Sequence, residues 1–175
     1  VVKNFFALDK DLAEKRHFPS VNWNDSYSGY TETLSDYWQE EVDEDWNENV
    51  QRLRDLLQES DDLEETVQLV GKDALPDRDR LTLEIGDMLK EFYLQQNAFH
   101  PVDQYSSPQK TFDILEVILD YADHSYNALE DGALVEDIIS LDSRAEIGRI
   151  KTAEDHEQKL EEVREQMQEE FSEVS

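Results

Sequence analysis

The chain has 175 residues, a length typical of one domain or of one domain with part of another. Its 44 acidic residues against 16 basic ones give a net charge of −28, which disfavours nucleic acid and anionic lipid as partners. Three Trp, seven Tyr and seven Phe are too many aromatic residues for a disordered acidic tail. We therefore expect a folded domain with a strongly acidic surface.

The acidic residues are spread along the whole chain, and only eight lysines accompany them. This pattern predicts a halophilic protein adapted to multimolar salt, where the Debye length is about 3 Å at 1 M and carboxylate repulsion is muted. The sequence has no cysteine, which excludes a disulfide framework and a thiolate metal site. Its apolar runs are too short for a membrane span, so we expect no direct membrane insertion. Because the first residue is Val, we expect the chain to begin within a longer protein.

The first 30 residues predict a strand, a short helix and a loop. Residues 1–9, VVKNFFALD, have the β-branched and aromatic residues of a buried strand. Residues 10–16, KDLAEKR, predict one short helical stretch. In residues 17–30 proline, glycine and several Asn and Ser residues interrupt any period, which predicts irregular structure.

The remaining residues, 31–175, predict a bundle of helices. Apolar residues three or four apart form one stripe from Leu34 to Leu57, and Ser60 then predicts the N-cap of a separate short helix closed by Gly71. Ser107 followed by proline is a strong signal for a helix start. The other predicted helices are centred on the apolar stripes at 81–92, 112–129, 138–139, 147–150 and 160–174. The predicted fold class is therefore mainly α.

Most signals of catalysis are absent from the sequence. No glycine-rich phosphate-binding motif occurs. The four histidines are not spaced as pairs on a helix, so a histidine metal site is unsupported. Pairs of carboxylates are common, but 44 acidic residues produce them by chance, and we interpret them as solvated surface. These features alone predict a non-enzymatic acidic helical interaction module, such as an adaptor or storage protein.

Two uncharged aromatic segments stand out in this acidic chain: HFPSVNW at 17–23 and QQNAFHP at 95–101, the latter within a run free of formal charge from Phe92 to Val102. Two interpretations are open. Aromatic residues usually pack in a core, and composition favours that interpretation. Alternatively, aromatic faces and neighbouring amides suit a purine ring, whose polar edge they can meet without placing charge beside it.

Three long motifs carry a resemblance to a known family: VVKNFFALDKDLAEKRHFPSVNW, VGKDALPDRDRL and LQQNAFHPVDQY. In the same order and with similar spacing, they resemble the C-terminal part of the catalytic A-type polypeptide of archaeal and vacuolar-type rotary ATP synthases. The resemblance covers nearly the whole chain and extends to EIGRIK at residues 146–151. The non-catalytic B-type polypeptide of the same assembly is a weaker alternative, because the Q-N-A-F and L-P-D-R-D motifs favour the catalytic one.

The resemblance implies an architecture and a nucleotide site. Residues 1–30 would be the final strand, short helix and loop of the nucleotide-binding α/β domain, and 31–175 the C-terminal helical domain. Four residues would lie on the adenine side of bound ATP or ADP: Phe18, Asn97, Ala98 and Phe99. The phosphate-binding loop, the Mg²⁺ ligands and the catalytic glutamate would belong to sequence upstream, so this chain could not hydrolyse or make ATP alone.

The resemblance also implies partners. Residues 71–79 would form a helix-turn-helix tip that meets the central-stalk rotor through Asp73, Leu75, Pro76 and Asp77; sequence alone would favour an ordinary exposed turn. The catalytic subunits would alternate with non-catalytic B subunits in a hexamer. They would belong to a proton-translocating enzyme and lie at the cytoplasmic face of the cell membrane, as a peripheral part of the complex.

Overall fold

The computed structural model describes residues 2–174 and begins with a two-stranded antiparallel ribbon. Strand β1 (Asn4–Leu8) pairs with β2 (Val21–Ser28), and helix α1 (Lys10–Glu14) connects them. The first strand and the short helix are confirmed. The prediction of irregular structure is wrong for residues 21–28, because pairing with a distant segment forms that strand and local composition does not report it.

The first strand is exposed, which corrects the prediction that it is buried. Phe6 is 70% exposed and Leu8 is 83% exposed. A strand is buried on both faces only where other layers cover its sheet. The ribbon has two strands, and within residues 2–174 nothing covers its outer face at these two side chains.

The rest of the described chain consists of helices joined by turns and loops, which confirms the mainly α prediction. A 3₁₀ turn (Lys72–Ala74) joins two of the helices, and a π-helical segment (Leu89–Leu94) continues another. Among residues 2–174 no helix combines the length and low polarity that crossing a bilayer requires. The helices are α2 (Ser35–Glu41), α3 (Trp46–Val70), α4 (Asp77–Met88), α5 (Pro108–Asp131), α6 (Val135–Ile139), α7 (Asp142–Ile150) and α8 (His156–Val174).

Helix α5 is the centre of the bundle and packs against α3, α4, α7 and α8. It begins as predicted, since the Ser107 hydroxyl accepts a hydrogen bond from the Lys110 amide and proline follows the cap. It ends at Gly132, whose φ of 105° lies in the left-handed region that favours glycine. The buried Tyr121 hydroxyl donates to the carbonyl of Ile138 at 2.7 Å, which holds α6 against this central helix.

Ser60 lies inside α3 and is fully buried, so the prediction of an N-cap there is wrong. The cause is a close approach between α3 and α4. A Cβ atom at Gly86 of α4 would lie 2.1 Å from the Ser60 hydroxyl oxygen and 2.4 Å from its Cβ. The glycine and the small serine let the two helices meet, and α3 therefore continues without a break to Val70, where Gly71 ends it as predicted.

This contact predicts the effect of enlarging Gly86. We expect Gly86→Ala to destabilise the chain by about 1–3 kcal/mol, because overpacking outweighs the better helix propensity of alanine. Urea unfolding in molar KCl measures the change. Asp87→Ala, at the exposed neighbouring position, is the matched control, and Ser60→Gly should recover part of the loss in the double variant. A Gly86→Ala chain as stable as the parent contradicts the contact.

Candidate functional site

The structure brings the two uncharged aromatic segments together. The Gln96 amide donates to the carbonyl of Phe18 at 2.8 Å, and the Gln95 side chain donates to the carbonyl of Arg16 at 3.3 Å. The peptide bond between Phe18 and Pro19 is cis. Segments that are 78 and 79 residues apart in the chain are therefore in contact, as the base-site interpretation requires.

The two predicted aromatic residues of these segments are exposed. Phe18 is 51% exposed and Phe99 is 98% exposed, and Asn97 and Ala98 are exposed as well. Within residues 2–174 neither phenylalanine ring stacks on another aromatic ring. The core-packing interpretation therefore holds for Trp23, which lies half-buried against the bundle. It does not hold for Phe18 or Phe99, which are exposed.

Hydrogen bonds within residues 95–103 give this loop a defined shape. The Asn97 amide donates to the Asp103 carboxylate at 2.6 Å, and the Gln96 side chain donates to the Asp103 carbonyl at 2.7 Å. His100 Nδ1 accepts from the amides of Val102 and Asp103, each at 3.2 Å. The loop that carries Phe99 is therefore held by its own polar groups.

Two charged side chains are buried at the end of this loop and after it, and the sequence analysis singled out neither of them. Asp103 is 5% exposed and Lys110 is 6% exposed. Lys110 Nζ donates to the carbonyl of Lys151 at 2.7 Å. Lys151 Nζ in turn donates to the carbonyls of Glu91 and Gln95, at 2.7 and 3.1 Å.

Burial and a neighbouring negative charge shift the pKa values of Lys110 and Lys151 in opposite directions. Burial lowers the pKa of Lys110 and of Lys151, and the negative charge of Asp103 opposes that change in both. The sequence holds one signal that could have marked these residues: two of only eight lysines lie here, and Asp103 is the first acidic residue after the neutral run. The contacts themselves join positions too distant in sequence for any local pattern to show.

A second cationic contact fixes the ribbon to the bundle. Trp23 Nε1 donates to the Asp61 carboxylate at 3.3 Å, and Lys90 Nζ lies 2.9 Å from the same side chain. Lys90 also pairs with Glu64 and lies 5.7 Å from the centre of the Trp23 ring. Burial lowers the pKa of Lys90, but its hydrogen bonds to Asp61 and Glu64 raise that pKa overall.

The buried His17 belongs to the same joint. Its ring centre lies 5.8 Å from that of Trp23, and burial, followed by the positive charge of Lys151, lowers the pKa of His17. An acidic cleft of about 560 Å³ lies alongside, lined in part by the carboxylates of Asp61, Glu64 and Glu91. Those carboxylates would repel phosphate groups, so this cleft is a poor candidate for a nucleotide. Within residues 2–174 no group of three or more His, Asp or Glu side chains is arranged to hold a metal ion.

The predicted tip is a short turn between α3 and α4. Asp73, Pro76 and Asp77 are exposed, as a contact surface requires. Leu75 is only 9% exposed, so the structure does not place it where a surface contact needs it. The turn folds this side chain inward, where an apolar group is stabilised by about 1.5–3 kcal/mol on full burial.

Two apolar side chains at the end of α3 are exposed near this turn, whereas Leu75 is buried. Leu69 is 85% exposed and Val70 is 57% exposed. The turn beside them is anchored to α4, because Lys72 Nζ lies 2.5 Å from a carboxylate oxygen of Glu84. Arg144 of α7 pairs with the other oxygen of Glu84 at 2.7 Å. The tip therefore presents apolar and acidic side chains, and ion pairs of Glu84 with Lys72 and Arg144 hold it against α4 and α7.

Comparison with known proteins is consistent with this architecture. Curated relatives, each named as the A subunit of an A-type ATP synthase, include proteins from Haloquadratum walsbyi, 48% identical over 174 residues, and Haloferax volcanii, 49% identical over 174 residues. A third, from Methanopyrus kandleri, is 43% identical over 176 residues. Each comparison covers 99% of this chain and 30% of the relative, so the chain spans less than a third of the length of these relatives. Many such relatives come from halophilic archaea, which supports the interpretation of the acidic surface.

A solved structure described as a unique ATP synthase subunit NeqB from Nanoarcheaum equitans has a similar fold, with a TM-score of 0.58. It is 18% identical, and the likeness covers 70% of this chain and 30% of that one, so it supports the fold alone. Residues 35–139, more than half of the chain, match the family described as the C-terminal domain of V and A type ATP synthase. The chain therefore belongs to that family.

Proposed function

We propose that the chain is the C-terminal portion of the catalytic subunit of a proton-translocating rotary ATP synthase. In the complete subunit it would supply the adenine-side contacts to ATP or ADP and the helical domain that touches the rotor. The observation that carries the proposal is the hydrogen bond from Gln96 to Phe18, which joins two uncharged segments with their phenylalanine rings exposed. Family membership favours this function over that of an acidic adaptor.

The chemistry of the surface suits a nucleotide base. Stacking of a base on an aromatic ring is worth about 1–3 kcal/mol and needs no charge. The exposed side-chain amide of Asn97 and the small side chain of Ala98 lie beside Phe99 in sequence and leave room for the polar edge of the ring. In a chain of net charge −28, the run from Phe92 to Val102 places no carboxylate of its own beside a polyanion.

The remaining chemistry of the proposed enzyme lies outside this chain. Residues upstream would bind the phosphates and Mg²⁺ and supply the catalytic glutamate, and this chain would orient the base. We propose non-catalytic B subunits, which would alternate with the catalytic ones in a hexamer, as neighbours. The complex would lie at the cytoplasmic face of the membrane, with this chain peripheral to it.

We propose that the tip contacts the central-stalk rotor through exposed side chains of the α3–α4 junction. Leu69 and Val70 provide apolar surface, and Asp73, Pro76 and Asp77 flank it. Leu75 supports the turn from inside. Movement of the helical domain on nucleotide binding would press this surface against the rotor.

Phe99→Ala tests the base contact in the complete subunit. Loss of one stacking face should weaken ATP binding by roughly 5- to 150-fold, with the fold unchanged because the side chain is almost fully exposed. Titration with a fluorescent ATP analogue measures the dissociation constant. Tyr37→Ala, an exposed aromatic on α2, is the control and should bind normally. Normal binding by Phe99→Ala would show that the assignment is wrong.

The double variant Leu69→Ser, Val70→Ser tests the tip. Removing two apolar contacts, each worth up to about 1.5–3 kcal/mol when fully buried, should weaken binding of the catalytic head to the isolated central stalk by about tenfold or more. Biolayer interferometry measures that affinity, and ATP binding should stay unchanged. Tyr37→Ser serves as the control. An affinity equal to that of the parent head would exclude these residues from the contact.

A further inference from the structure

Lys151 is one of eight lysines in a chain with 44 acidic residues, yet its hydrogen bonds go to main-chain carbonyls. It is the first residue after α7, yet its ammonium group does not pair with a surface carboxylate in the described contacts. It donates instead to two main-chain carbonyls, those of Glu91 and Gln95, at 2.7 and 3.1 Å. Glu91 lies in the last turn of the π-helical segment, and Gln95 is the residue that follows the segment and begins the loop.

The carbonyls at this point need a partner. The last carbonyls of a helix, here that of Glu91, have no partner within the helix, and a cation there also interacts favourably with the helix dipole. Gln95 is followed directly by the two amides that shape the loop, since Gln96 donates to Phe18 and Asn97 donates to Asp103. A cation that fixes the Gln95 carbonyl therefore fixes the start of both contacts.

Lys110 supports Lys151 from the other side. Its buried Nζ donates to the carbonyl of Lys151 at 2.7 Å and so holds the backbone from which the Lys151 side chain extends. A cavity of about 140 Å³ lies at this joint, lined among others by Pro19, Gln96, Asp103 and Lys151. Lys151 thus connects α7 of the bundle with the loop at 95–103 and, through the hydrogen bond from Gln96 to Phe18, with residues 17–23.

We propose that Lys151 is a positioning residue for the base site: its ammonium group holds the carbonyls of Glu91 and Gln95 and thereby fixes the loop that carries Phe99. This inference rests on the proposed function of that loop. Lys151 itself touches no base and takes part in no chemical step.

The test uses Lys151→Met and Lys151→Arg in the complete subunit, assembled in its ATPase. Methionine keeps the length of the side chain and loses the donor. We expect the KM for ATP to rise about tenfold while kcat changes by less than about twofold, because a charge-assisted hydrogen bond that orders the binding surface is lost. Lys151→Arg, which keeps a cationic donor, should restore most of the affinity.

Lys159→Met is the matched control. It makes the same chemical change on α8, where the lysine pairs with Glu146 and Glu162, and should leave the KM unchanged. A KM and kcat that change together in Lys151→Met, or an equal effect in Lys159→Met, would show a general structural role and overturn the proposal. So would a failure of arginine to restore affinity.

Phe99→Ala in the same assay separates the two claims. If it raises the KM and Lys151→Met does not, the positioning role is wrong and the base site stands. If neither variant changes the KM, both are wrong.

Hydrogen exchange of the complete subunit gives a second readout that needs no catalytic activity. Lys151→Met should speed exchange of the Gln96 and Asn97 amides while α5 stays protected. Exchange that is unchanged at these amides, or that is faster throughout the chain, would contradict the proposal.

Discussion

Cations are scarce in this chain, and their placement determines how its parts hold together. With 44 acidic and 16 basic residues, most carboxylates can have no basic partner of their own. Several shielded basic side chains lie where two parts of the fold meet: Lys90 between the ribbon and α3, Lys151 between α7 and the loop, and Arg144 between α7 and α4. A hydrogen bond to a charged group contributes about 1.5–3 kcal/mol, more than an exposed ion pair. These few contacts therefore set the relative positions of ribbon, loop and tip.

The helices could be predicted from sequence because their signals are local. The cap at Ser107 and the glycine ends at Gly71 and Gly132 act through the backbone within one turn. The errors have a common cause in contacts between distant residues. The sequence around Ser60 predicts a helix cap, but the contact of Ser60 with Gly86 keeps it inside α3. The sequence of β2 predicts irregular structure, but pairing with β1 makes it a strand.

The candidate site divides in the same way. Composition favoured core packing for Phe18 and Phe99, and only the resemblance to a family selected them as base contacts. Their exposure in the structure does not fit core packing, and their contact with a base is a proposal. The support beneath them was not predictable, because it joins Lys151 to carbonyls 56 and 60 positions earlier. Leu75 was expected to be an exposed contact residue but is buried, because the sequence does not show which apolar side chain of a turn faces inward.

The charge distribution links the acidic surface to the proposed base site. An acidic surface suits a protein in concentrated salt but repels a nucleotide, so the proposed base site needs a neutral patch with a firm support. The loop at 95–103 provides the patch, and Lys110 and Lys151, which support it, bond to main-chain carbonyls. The same bundle carries the exposed apolar tip, so one domain would link base binding with contact to a rotor.

Photolabelling with 2-azido-ATP tests the central claim most directly, because the reactive group sits on the adenine ring. The complete subunit would be labelled at a nucleotide concentration near saturation, digested, and its modified peptides identified by mass spectrometry. The proposed base site predicts modified residues within 17–23 or 95–103, and loss of that label when unmodified ATP competes. Competed label that lies only outside these two segments would contradict it.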